Sequence, residues 1–71
     1  MDQTLDTPNA LKVRLQALRD EHRQLDLSIN ELDARPYLTP DDQVELARLK
    51  KLKLRKKDEM FAVASELGVE I

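Results

Sequence analysis

The sequence contains no cysteine, a single glycine and a single histidine, and only 3% of its residues are aromatic. Without cysteine the chain can form neither a disulfide nor a thiolate metal cage, and the lack of cysteine fits a reducing compartment. One glycine is too few for a glycine-rich loop that wraps a phosphate. These absences exclude disulfide-stabilised folds, Cys/His zinc sites and the common nucleotide-binding loops.

Long apolar segments are also absent, since no run approaches the roughly 18 residues that a membrane-spanning helix requires. The first ten residues, MDQTLDTPNA, are acidic and lack the apolar stretch of a signal peptide. We therefore expect a soluble, cytoplasmic protein that makes no contact with membranes.

The chain has 71 residues, and 37% of them are charged. A domain of this size buries only about 60% of its unfolded surface, and its core rarely supplies more than about 3–5 kcal/mol of stability. Small proteins without disulfides or metals are commonly stabilised by self-association. The high charge content is typical of long helices and coiled coils.

Threonine–proline pairs mark two helix starts. In both Thr7-Pro8 and Thr39-Pro40 the threonine can cap the helix, and the proline takes the first helical position, where its missing N–H group is not needed. Pro36 disfavours helical geometry at the residue before it, and Gly68 is suited to ending the second helix. We predict a flexible tail over residues 1–7, a helix over 8–34, a turn over 35–39, a helix over 40–67 and a C-terminal tail over 68–71.

Apolar residues recur in both helices at alternating spacings of three and four, which is the heptad pattern of a coiled coil. The two series, which together form a surface that we call the seam, are Leu11, Leu15, Leu18, His22, Leu25, Ile29 and Leu32, and Leu46, Leu49, Lys53, Lys56, Met60, Val63 and Leu67. A short turn makes the helices antiparallel, so Leu15 should lie opposite Met60. The sequence predicts an all-α fold, a coiled-coil-like antiparallel two-helix hairpin.

A second, smaller apolar set lies away from the seam. Leu54 and Phe61 are seven residues apart on the second helix, and Leu27 lies outside the seam on the first. An aligned apolar set beside a thin core is typical of an association surface. We expect a homo-oligomer, a dimer or larger, formed through Leu27, Leu54 and Phe61, or a partner helix docked there.

The middle of the seam is polar. The register places His22 opposite Lys53, with Asp26 and Lys56 one turn away. The lysines can lay their methylene groups along the seam and keep their ammonium groups in water, or the four side chains can form a polar layer that selects one register. A third interpretation makes His22 a pH-responsive or catalytic group.

The segment from Arg48 to Lys57 carries seven of the twelve basic residues, although the whole chain has a net charge of −2. Its charges do not form one outward stripe, and it has no aromatic side chain for stacking on bases. We expect part of the charge to be paired, in Glu45–Arg48, Arg55–Glu59, Asp26–Lys50 and Glu21–Lys53. A solvated and internally paired helix is the simpler interpretation of the segment.

Binding of RNA or another polyanion is the alternative interpretation, because a dimer would bring two such segments together and raise the local potential. The candidate residues are Lys50, Lys51, Arg55 and Lys57.

No catalytic constellation is evident. Neither Ser28 nor Ser65 is accompanied by a histidine and a carboxylate at a suitable spacing. Asp41, Asp42 and Glu45 cluster at the start of the second helix, but they lack the spacing of an EF-hand and are more simply caps and partners of the helix dipole. We expect no enzyme activity, no metal site and no cofactor.

Two motifs occur together, one in each predicted helix. They are EHRQLDLSI at 21–29 and LARLKKLKLRKKDEM at 46–60, with Glu21, His22, Leu25, Asp26, Ile29, Leu49, Lys50, Lys53, Leu54, Lys57 and Asp58 at the matching positions. In this pair of motifs the chain resembles the YdcH-like small bacterial proteins, a family of uncharacterised domains, over residues 11–65. The resemblance implies a self-associating antiparallel hairpin in the bacterial cytoplasm with no assigned reaction. The turn, ARPYLTPDD, departs from the family pattern, so its conformation is not carried over.

We therefore expect a non-enzymatic helical hairpin that self-associates or binds a partner helix. The alternative is a small regulator that binds RNA or DNA through the basic second helix. The dependence of binding on salt concentration distinguishes these two hypotheses, because binding to phosphates weakens steeply as the salt concentration rises.

Overall fold

Two helices and the turn that joins them make up the described part of the protein. The structure is a computed structural model that describes residues 7–70. Helix α1 spans Pro8–Asp33 and helix α2 spans Pro40–Leu67. The tail predicted over 1–7 therefore lies, apart from Thr7, outside the described residues, as does residue 71. Neither of the two described helices is long and apolar enough to cross a bilayer.

Both helices begin with the capping arrangement that their sequence predicts. The Thr7 hydroxyl accepts a hydrogen bond from the Ala10 N–H at 3.1 Å. At α2 the capping is reciprocal: the Thr39 hydroxyl accepts from the Asp42 N–H at 3.0 Å, and the Asp42 carboxylate accepts from the Thr39 N–H at 3.1 Å. Such a capping box satisfies two N–H groups that a helix start would otherwise leave unpaired.

Proline and glycine determine where the helices end. Helix α1 stops at Asp33, one residue before the predicted end, and the Ala34 N–H still donates to the Asn30 carbonyl at 3.0 Å. Helix α2 ends at Leu67 and is capped by Gly68, whose φ of 75° is readily adopted only without a side chain. The following Val69 N–H donates back to the Ala64 carbonyl at 3.0 Å, which closes the helix end.

The buried side chains form two clusters, and each draws on both helices. The distal cluster, far from the turn, contains Leu11, Leu15, Leu18, Met60, Val63 and Ala64. The turn cluster contains Ile29, Leu32, Leu46 and Leu49, with Leu25 and Leu38 packed against it. The start of α1 thus packs on the end of α2, so the predicted antiparallel hairpin is confirmed.

The core is a single thin layer. Among the described residues no large side chain is fully buried, and no polar or charged residue is buried. Several large apolar side chains instead face solvent, including Leu27, Leu54 and Phe61, each more than half exposed. The two clusters leave a polar stretch between them, and this stretch holds the candidate site.

Candidate functional site

Two lysines of α2 and two carboxylates of α1 meet in the polar stretch between the clusters. Lys53 Nζ donates a hydrogen bond to Asp26 Oδ1. Lys56 Nζ lies 3.0 Å from Glu21 Oε1 and 3.8 Å from Glu59 Oε1. Both lysines are about one-third exposed. Lys53 and Lys56 lie about 60° apart around α2, so the two ion pairs flank the middle of the seam on either side.

The observed cross-helix ion pairs differ from the expected ones by one helical turn. Asp26 pairs with Lys53 rather than Lys50, and Glu21 pairs with Lys56 rather than Lys53. The expected pairs join residues whose backbone positions face each other across the hairpin. Helical side chains lean toward the N-terminus of their own helix, so in an antiparallel pair the lysines and the carboxylates lean toward each other. Each carboxylate therefore meets the ammonium group of a lysine that lies one helical turn further along α2 than the residue facing it in the backbone register.

The ion pair on Asp26 changes its acidity. The hydrogen bond from Lys53 lowers the pKa of Asp26 below its usual value, and the positive charge of Lys53 lowers it further. The carboxylate thus stays ionised to lower pH in the folded chain than in the unfolded chain. Exposed ion pairs contribute little to stability, so their main effect is to favour one register over slipped alternatives.

His22 lies in the same stretch with an unsatisfied ring nitrogen. Its Nε2 atom is shielded from solvent and has no hydrogen-bond partner in the described part of the chain. A shielded polar atom without a partner costs free energy. His22 therefore carries a free-energy cost within the seam.

A groove lies beside His22 on one side of the hairpin. It has a volume of about 460 Å³ and is lined by His22, Lys53, Lys57, Met60 and Phe61. We call it the basic groove. The sequence assigned His22 to the polar layer, Lys57 to polyanion binding and Phe61 to association, and the structure places all three at one site. The groove requires both helices, and the separate residue patterns did not indicate it.

The three residues expected to form an association surface do not lie together. Leu54 and Phe61 share a stripe of α2 and are 59% and 53% exposed. Leu27 lies about 160° from the middle of the seam around α1, on the side that faces away from α2. Leu54 and Phe61 can thus contact one partner together, whereas Leu27 belongs to a different surface.

The four basic residues expected to bind polyanions also divide into two sets. Lys50 and Lys57 lie within about 40° of Phe61 around α2, whereas Lys51 and Arg55 lie about 80° and 120° away. All four are exposed, and none has an ion-pair partner among residues 7–70.

Two further pairings were expected within α2, and only one of them forms. The Glu45–Arg48 pair is present at 2.7 Å and confirms the prediction. Its hydrogen bond lowers the pKa of Glu45 and raises that of Arg48. The expected pair of Arg55 with Glu59 is not formed, because Glu59 lies near Lys56 instead.

The acidic cluster at the start of α2 is used in capping. The hydrogen bond from the Thr39 N–H lowers the pKa of Asp42, which also pairs with Arg35 at 3.0 Å. The ion pair with Arg35 was not predicted and ties the turn to α2. Within residues 7–70 no group of three or more histidine or carboxylate side chains is arranged to hold a metal ion.

Comparison with known proteins places the same region in a family. A family model described as "Protein of unknown function (DUF465)" matches residues 15–63, which span most of both helices and the turn. No curated protein and no solved structure shows significant similarity to the chain.

The lowered pKa of Asp26 predicts an acid-sensitive contribution to stability. Because the folded-state pKa lies below the unfolded value of about 3.9, the contribution is complete above that value and is lost as the pH falls through the folded-state pKa. The difference in free energy of unfolding between the wild type and Asp26→Asn should therefore be constant near neutrality and shrink below about pH 4. Urea denaturation across this range measures it. Asp58→Asn, which removes a carboxylate without an ion pair in the described part, is the control, and equal acid dependence in both variants would contradict the assignment.

The unpaired nitrogen of His22 predicts that an apolar replacement stabilises the hairpin. His22→Leu should raise the melting temperature by about 5 °C, because it removes an unsatisfied group that costs about 1 kcal/mol. If the histidine also selects the register, the variant should populate additional oligomers, which analytical ultracentrifugation detects. His22→Gln keeps a polar group in place and should not gain stability. A sharp fall in stability with a single unchanged species would show instead that the ring makes a hydrogen bond on which the seam depends.

Proposed function

We propose that this chain, which belongs to the DUF465 family of proteins of unknown function, is a non-enzymatic interaction module that packs another helix against the outer side of α2. The packed helix can belong to a second copy, which makes the protein a homo-oligomer, or to a different protein. The exposed pair Leu54 and Phe61 is the observation that carries this proposal.

The thin core supports an association role. A two-helix hairpin without a fully buried large side chain in residues 7–70 has little stability to spare. Leu54 and Phe61 lie seven residues apart on one stripe, which is two helical turns, and a docked helix contacts residues at this i, i+7 spacing. Covering them removes apolar surface from water and adds stability that the isolated hairpin lacks.

Self-association is tested by sedimentation velocity from micromolar to tens of micromolar protein. The wild type should show a sedimentation coefficient that rises with concentration, and Leu54→Glu and Phe61→Glu should remain monomeric. A glutamate at either position places a charge in the contact, and removing that charge from water costs free energy.

Val13→Glu is the matched control for this experiment. Val13 is 65% exposed, but it belongs to α1 and not to the stripe of α2 that carries Leu54 and Phe61, so its replacement should leave the association unchanged. A wild type that stays monomeric throughout and binds no other helix would refute the proposal. If Val13→Glu abolished self-association as completely as Leu54→Glu and Phe61→Glu, the loss would be a non-specific effect of added charge.

A second candidate function is binding of RNA or another polyanion, and the unpaired basic residues of α2 favour it. Lys50, Lys51, Arg55 and Lys57 are exposed and have no carboxylate partner among residues 7–70. Phosphate oxygens could supply those partners.

Polyanion binding is tested by measuring the affinity for a single-stranded RNA oligonucleotide as a function of salt. The logarithm of the affinity should fall linearly with the logarithm of the salt concentration, with a slope of about −0.7 for each phosphate that the protein neutralises. Lys51→Glu and Arg55→Glu should each make the salt dependence less steep, because each removes a positive charge that can neutralise a phosphate. Absence of binding at about 50 mM salt, where such contacts are strong, would remove this candidate.

A further inference from the structure

We propose that the basic groove and the neighbouring Leu54 bind an acidic amphipathic helix of a different protein. The apolar side chains of that helix cover Leu54 and Phe61, and its carboxylates pair with Lys57 and Lys50. The inference rests on the proposed function, since it specifies which kind of helix the outer side of α2 accepts.

The charge of the groove is the first argument. Lys53 is already paired with Asp26, whereas Lys57 lines the groove without a carboxylate partner in the described residues. Lys50 lies on the same side of α2 and is also unpaired. An incoming carboxylate would meet positive charge that the hairpin itself does not neutralise, and complementary charge favours association.

His22 gives an independent argument for a polar ligand group. Its Nε2 atom is shielded and unpaired within residues 7–70, and the ring lines the groove. A ring nitrogen that turns toward the groove can donate a hydrogen bond to a carboxylate oxygen, and such charge-assisted bonds are the stronger kind. Binding thus removes a cost that the free hairpin carries.

A second copy covers this surface less favourably than an acidic helix does. A twofold dimer places the same patch of each chain against itself. In a twofold dimer centred between Leu54 and Phe61 with antiparallel α2 helices, Lys57 of one chain lies near Lys57 of the other, because Lys57 is midway between those two residues. Opposed like charges weaken an interface, so a different and acidic helix is the better occupant.

A nucleic acid also fits poorly, because the groove combines charge with aliphatic surface. Leu54 is 59% exposed beside the groove, and Met60 contributes to its lining. A phosphate backbone would satisfy the lysines but leave this apolar surface in water, whereas an amphipathic helix covers it. The occupant is therefore a protein helix.

The proposal is tested by the binding of a labelled synthetic helix, measured by fluorescence anisotropy with the full-length chain at low salt. The probe carries leucines at i, i+3 and i+7 with glutamates on both flanks, and a second version replaces every glutamate by glutamine. The glutamate probe should bind at least about tenfold more tightly than the glutamine probe, because only the former supplies carboxylates to the groove.

Variants locate the site. Lys57→Glu should weaken binding of the glutamate probe at least about tenfold, and His22→Phe should weaken it by a smaller factor because it keeps the ring but removes the donor. Arg55→Glu is the matched control: it makes the same change of charge two residues away and on another side of α2, so it should alter the affinity less than about twofold. Equal effects of Lys57→Glu and Arg55→Glu would overturn the assignment to the groove.

The outcomes separate this inference from the proposed function. If both probes bind equally and Leu54→Glu abolishes both, the outer side of α2 docks helices, but the acidic preference is refuted. If neither probe binds and the wild type is monomeric, both proposals fail. If an RNA oligonucleotide displaces the glutamate probe at lower concentration than the unlabelled probe does, a nucleic acid replaces the acidic helix as the occupant.

Discussion

Two helices share a single contact surface, and this constraint shapes the rest of the molecule. Each helix can bury only one stripe, so every side chain off that stripe remains at least partly in water. The buried stripe is itself interrupted, because the distal cluster and the turn cluster are separated by a polar stretch. Side chains that a larger bundle would bury remain on the surface of a two-helix hairpin. For this reason Leu54 and Phe61 are more than half exposed.

The polar stretch restricts how the helices can slide past one another. Asp26–Lys53 and Glu21–Lys56 flank the middle of the seam on either side. A slip by one heptad would move the lysines against the apolar clusters and separate them from their carboxylates. Apolar heptads alone tolerate such slips, and polar seam residues are a known means of excluding them. The ion pairs therefore contribute specificity, although they add little stability.

The sequence was sufficient to predict the helices and their pairing but not the details of the site. The pairs Thr39-Pro40 and Thr7-Pro8 act through local backbone chemistry, which can be read from adjacent residues. The heptads placed Leu15 and Met60 in one cluster, as observed. The ion partner of Lys53 was predicted one turn away, because backbone register ignores the direction in which side chains lean. The basic groove depends on both helices at once, so no single pattern contained it.

The turn and the opposite end of the hairpin differ in how firmly they are held. At the turn, the reciprocal capping of Thr39 and Asp42 and the contact of Arg35 with Asp42 join the connecting segment to α2. At the far end, the helices meet through the side-chain packing of the distal cluster around Leu11 and Val63. Because the connecting segment holds the helices together at the turn, we expect their separation to start at the far end and proceed toward the turn. In such an opening, the lysine–carboxylate contacts of the polar stretch separate before the turn cluster is exposed.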